Sequence, residues 1–190
     1  DHRDLHSFPT RRSSDLRLEL MVTERAVEPA REGVDVALLL DPKPDPAVRS
    51  RILGRFELYP VASPRFIARQ GRPEEPDDLE RFRCIGTLPE ERWHFAGGPV
   101  SVRPVLAVNR WEVAREAAVA GIGIARLPVF LWHSDYERSE LLPVLGQEPA
   151  GASEAVARFR PSRYAHPAVR AFLEQLSTTF AALEPWPRGA

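Results

Sequence analysis

Seven residues, Val34–Leu40 (VDVALLL), carry a single polar side chain and lie between Gly33 and the proline-rich turn DPKPDP. An unbroken apolar run of this length suits a strand buried on both faces, the kind found in parallel sheets. Upstream, Leu16, Leu18, Leu20 and Val22 alternate with Arg17, Glu19 and Met21, which predicts another strand. A short helix is expected over Ala26–Glu32, ended by Gly33 in a left-handed cap. Strand, helix, strand is a βαβ unit and implies parallel pairing.

The rest of the chain keeps alternating. Val48–Phe56 and Leu58–Ala62 read as extended, and Ser63-Pro64 opens a helix that stops near Gly71. RPEEPDDLERF is a loop with one helical turn, its paired acids solvated charge. Strands are expected at Arg83–Gly86, Trp93–Phe95 and Val100–Val108. Asn109 to Glu112 fits a capping box, with Asn109 as cap of a helix Trp111–Ala120 closed by Gly121. A strand over Ile122–Leu127, a helix from Pro128, and extended pieces at Leu141–Leu145 and Ala155–Arg160 follow. Val169, Phe172, Leu173, Leu176 and Phe180 make one apolar face of a final helix. The first fifteen residues share no period with this pattern and read as a leader outside the fold.

Composition narrows the function. With 43% apolar and 28% charged residues in 190, the chain can bury one core or two small ones. A net charge of −1, with arginines scattered among acids, gives no cationic surface for phosphates, so this piece should not bind DNA. No run of eighteen apolar residues exists, and neither a membrane span nor a secretory signal is expected. One cysteine, Cys84, cannot form an internal disulfide, so a cytoplasmic location is the default.

Enzymatic chemistry has no candidate set. Cys84 beside Ile85 reads as a small buried hydrophobe, and His94 as the outward residue between Trp93 and Phe95. The histidines lack ligand spacing, apart from His2 and His6 in the leader, so no metal and no cofactor is expected. Gly121-Ile122-Gly123 follows a helix where a phosphate loop would lead into one; a helix cap and tight strand packing account for both glycines. What remains is a cleft where strands end and helices begin.

The ordered pieces EGVDVALLL, VASPRFIARQGRP and AAVAGIGIARLP, with PSRYAHPAVRAFLEQL after them, resemble the effector-binding domain of LysR-type regulators from about Leu16 to Leu183. The resemblance implies an α/β, periplasmic-binding-protein-like fold of two Rossmann-like lobes joined by two crossover strands. Residues 16–57 with 161–184 would form the first lobe and 58–160 the second, with crossings around Leu58–Ala62 and Ala155–Arg160. The family's helix-turn-helix, and the first strand and helix of its first lobe, have no counterpart in this sequence.

It implies a small-molecule effector held in the cleft and a homodimer or tetramer in the intact regulator. By motif position Ser63, Thr87 and Asn109 would hydrogen-bond the ligand, and Arg110 would neutralise a carboxylate on an anionic one. Trp111, Ile124 and Phe130 would form an apolar wall. Rival readings are a secreted solute-binding protein of similar fold and an enzyme on the same scaffold.

Overall fold

The computed structural model describes residues 17–23, 27–88, 92–146 and 148–182. Short helix α1 (Pro29–Glu32) ends at Gly33, whose φ of 71° is the left-handed cap expected. Strand β1 (Ala37–Leu40) leads to the 14-residue β2 (Arg49–Ala62), which absorbs both extended stretches seen in the sequence. Helix α2 (Pro64–Gln70) follows, then a 3-10 turn over Pro76–Arg81 and β3 (Cys84–Thr87). The chain continues through β4 (Arg92–Phe95), β5 (Gly98–Ser101), β6 (Pro104–Val108) and α3 (Trp111–Val119). It closes with β7 (Ile124–Pro128), α4 (Val129–Glu137), the two-residue β8 (Leu142–Pro143), β9 (Ala152–Phe159), α5 (Pro161–Tyr164) and α6 (Pro167–Ala181).

One sheet runs β1-β9-β2-β7-β3-β6, with β8 beside β2. Its organising strand is β2. Arg49 to Glu57 pair antiparallel with β9, and from Leu58 onward the same strand pairs antiparallel with β7. Among the described residues parallel pairing is confined to β6, β3 and β7. On one side α6 lays Val169, Leu173, Leu176 and Phe180 over Leu53, Ala155, Ala157 and Phe159. Beyond the switch, Tyr59, Val61, Ile85, Ala125 and Leu127 pack under Ala114, Ala117 and Ala118 of α3 and Trp132 of α4. A second cluster joins Phe66, Leu79, Cys84 and Ile124 to Trp93 and Phe95 of the β4–β5 hairpin, leaving His94 outward as expected.

Several expectations are corrected. Arg17–Val22 is not assigned as a strand: its apolar side chains are exposed and it has no ladder partner among the described residues, and alternation alone cannot form a strand. Leu16 and the leader lie outside the described residues. Among the described residues no parallel βαβ unit opens the fold: β1 pairs with β9 alone, and antiparallel. VDVALLL is not buried on both faces: it supplies a four-residue edge strand with Leu38 and Leu40 exposed. Val100–Val108 splits in two, since its first part turns back on β4 as a hairpin. Leu141–Leu145 contributes only two strand residues.

The glycines of the AGIGIA stretch behave as read from the sequence. Gly121 takes a φ of 74° just past α3, and a Cβ on Gly123 would stand 2.6 Å from the Arg83 carbonyl oxygen. Gly123 is what lets β7 enter beside β3.

Candidate functional site

Because β6, β3 and β7 run parallel, their carboxyl ends share one edge of the sheet. Thr87 closes β3 opposite Val108 of β6, and the Leu88 N–H donates to the Val108 carbonyl at 2.7 Å. Asn109, Arg110 and Trp111 follow immediately, and at the same edge β7 ends at Pro128 and α4 begins with Val129 and Phe130. Leu58 pairs with Pro128, so Phe56 and Glu57 reach this edge just where β2 changes partners. The Phe56 ring meets Trp111 edge-on at 5.9 Å and Phe130 edge-on at 5.2 Å. Three rings from three elements thus form one cluster. The Phe130 side is open, that residue being 47% exposed.

Of the residues proposed from the sequence, the fold brings Thr87, Asn109, Arg110, Trp111 and Phe130 together. It separates Ser63 and Ile124. β2 runs against β7, with Val61 opposite Ala125, so Ser63 falls at the end where β7 begins. There the buried Ser63 hydroxyl caps α2 by accepting from the Phe66 N–H at 3.3 Å, next to Gly121. Ile124 is fully buried among Phe66, Leu79 and Cys84.

The expected capping box is also corrected. The β3–β6 ladder holds Val108 in the strand, α3 starts only at Trp111, and the cap position falls to Arg110, which makes no side-chain cap bond. Arg110 instead turns both arms toward Glu112, Nε to Oε2 and Nη2 to Oε1, each at 3.5 Å. The Glu112 backbone N–H, and then Arg110, hold its carboxyl below the usual carboxylate range.

Sequence reasoning missed Phe56 and Glu57, whose position depends on where β2 switches partners; the Tyr59 hydroxyl donates to the Glu57 carboxylate at 2.6 Å. It also missed the brace behind the edge. Asp135 of α4 is fully buried and receives the Arg115 guanidinium of α3 through both carboxylate oxygens, while Arg138 Nη2 donates to its Oδ1 at 2.6 Å. Asp135 and Arg115 stand twenty residues apart in sequence, and only the packing of α3 on α4 joins them. A further correction concerns Asp78, read as solvated charge. Its carboxylate accepts from the backbone N–H of Glu74 and Glu75 and pairs with Arg81, which together hold it below the usual range.

Among the described residues no cluster of three or more His, Cys, Asp or Glu side chains is arranged to hold a metal ion. Nor, among them, is any helix long and apolar enough to cross a membrane.

Residues 10–181 match the family model described as the LysR substrate binding domain. The chain is 29% identical over 171 residues to the HTH-type transcriptional regulator CrgA of Neisseria meningitidis serogroup C (strain 8013), covering 85% of this chain and 56% of CrgA. It is 30% identical over 139 residues to the regulator YhjC of Escherichia coli (strain K12), covering 68% of this chain and 46% of YhjC. The chain therefore spans about half the length of these curated relatives. The solved regulatory domain of CrgA superposes with a TM-score of 0.71 at 25% identity, over 80% of this chain and 78% of that one. Full-length AphB of Vibrio cholerae, a virulence activator, gives 0.74 at 21% identity, over 87% of this chain and 59% of that one.

Proposed function

The chain belongs to the LysR substrate-binding domain family, and from that premise we propose that it senses a small molecule at the Thr87–Asn109–Phe130 edge and passes the signal to a DNA-binding part of a larger regulator. The observation that carries this reading is the convergence of Phe56, Thr87, Asn109, Trp111 and Phe130 beside the point where β2 changes partners. Carboxyl ends of parallel strands are where ligands bind in open α/β sheets. Here that edge also borders the strands joining the two halves of the fold.

Residues 16–57 with 161–184 form the first lobe in this reading, and residues 58–160 the second. A ligand at the junction would favour one arrangement of the lobes by its differential affinity for the two. Within the intact regulator the module pairs into a homodimer or tetramer in the cytoplasm and performs no catalysis itself. These 190 residues leave DNA alone, consistent with their net charge of −1.

A thermal-shift screen of small metabolites against the chain tests this. Hits should weaken about tenfold in Phe130→Ala or Thr87→Ala, a loss near 1.4 kcal/mol. Ser63→Ala should leave their affinity unchanged. Hits indifferent to Thr87 and Phe130 would move the site elsewhere.

A further inference from the structure

The sequence offered Arg110 as a group that could neutralise an anionic effector, and the charges of the folded edge favour a different ligand class. Arg110 already faces Glu112 with both arms, and Glu112 also takes the amide end of α3. Behind the edge, Arg115 and Arg138 are held by Asp135. On β2, Arg55 stands directly across the ladder from Glu154. Glu57 adds a carboxylate at the partner switch. The guanidinium groups of Arg110, Arg115 and Arg138 each face an acid, so a ligand carboxylate reaching one of them would have to compete with that acid. Meanwhile Phe130 of the Phe56–Trp111–Phe130 cluster is half exposed, and a molecule stacked on a ring face there would meet an electron-rich surface, which repels anions and attracts cations.

We infer that this edge takes a ring-bearing small molecule without negative charge, stacked on the open side of the Phe56–Trp111–Phe130 cluster; the inference rests on reading the edge as the ligand site. Thr87 and Asn109 supply neutral polar groups beside the rings, suited to orienting such a molecule.

Three probes of matched shape separate the possibilities: benzyl alcohol, benzylammonium and benzoate, titrated into the full 190-residue chain. The reporter is the indole N–H resonance of Trp111 in a nitrogen–proton correlation spectrum, assigned with Trp111→Phe. Benzyl alcohol and benzylammonium should shift it, with benzoate weaker by about threefold or more. Phe130→Ala, at a half-exposed position that tolerates truncation, should weaken both binders by about threefold. Glu112→Gln frees Arg110 and should bring benzoate up toward the alcohol, a gain that a damaged fold could not produce. Benzoate binding most tightly to the unaltered chain, with Trp111 shifting, overturns the ligand class and leaves the site standing. If no probe shifts Trp111, both the class and the site are overturned.

Discussion

Leu173 is fully buried under the β9–β2 ladder, whereas its neighbour Phe172 is only half-buried and lies outside the α6 core. Helical spacing alone put both on one apolar face, since positions 169, 172, 173 and 176 cannot be ranked without knowing the docking angle. Leu173→Ala should therefore cost about 2–5 kcal/mol, and Phe172→Ala distinctly less, by urea denaturation. Equal losses would mean that α6 is rotated from its described pose. Cys84 was legible from its apolar setting, and burial pushes its thiol up to about 12. Its folded value lies above the ordinary 9.0, so its contribution is complete below that value and is lost as pH rises toward about 12. Cys84→Ala should flatten part of the fall in urea midpoint between pH 8 and pH 10.5 (roughly the rising flank of that window). Iodoacetamide should also fail to label the native thiol at pH 8, because the thiolate is the nucleophile. Rapid labelling of the folded chain would place Cys84 outside the core.

Helices and strands were easier to foresee than their partners. Ser63-Pro64, Gly33, Gly71 and Gly121 marked helix ends correctly because caps are local chemistry. Pairing direction was not local: the opening strand of the sheet finds β9, more than a hundred residues away, and no periodicity announces that. The α3–α4 brace is of the same kind, and its energetics can be separated from surface charge. Arg110 and Glu112 are both well exposed, so Arg110→Ala should change stability by less than about 1 kcal/mol. Asp135→Ala removes a fully buried carboxylate serving two arginines. Breaking a buried pair costs about 3–5 kcal/mol, less here because Arg138 and part of Arg115 reach water, so about 2 kcal/mol is expected. A loss no greater than that of Arg110→Ala would show that the brace adds nothing beyond a surface ion pair.

At the scale of the whole molecule the two ends of the sheet differ in protection. Around β2, β7 and β3 the sheet is covered by α3 and α4 on one side and by the α2 and hairpin cluster on the other. Near β1 it is not. Leu38 and Leu40 pair with Ala157 and Ala155, residues that α6 covers, yet at the edge they remain 44% and 52% exposed. On the opposite face Ile52, paired with Val156, is 61% exposed. The edge of β1 away from β9 has no ladder partner among the described residues. A strand edge with apolar side chains and no charge on it is a template for association. Two outcomes follow from that asymmetry. Amide exchange should be slow through Leu58–Val61 and β7 and fast through Arg17–Val22 and the outer edge of β1. The chain should also associate with rising concentration in sedimentation velocity, and Leu38→Lys with Leu40→Lys should suppress this without lowering the unfolding free energy measured in urea by more than about 1 kcal/mol, both side chains being about half exposed already. A double variant that associates as before would show that contacts between copies form elsewhere, and slow exchange through Arg17–Val22 would show that this segment is paired after all.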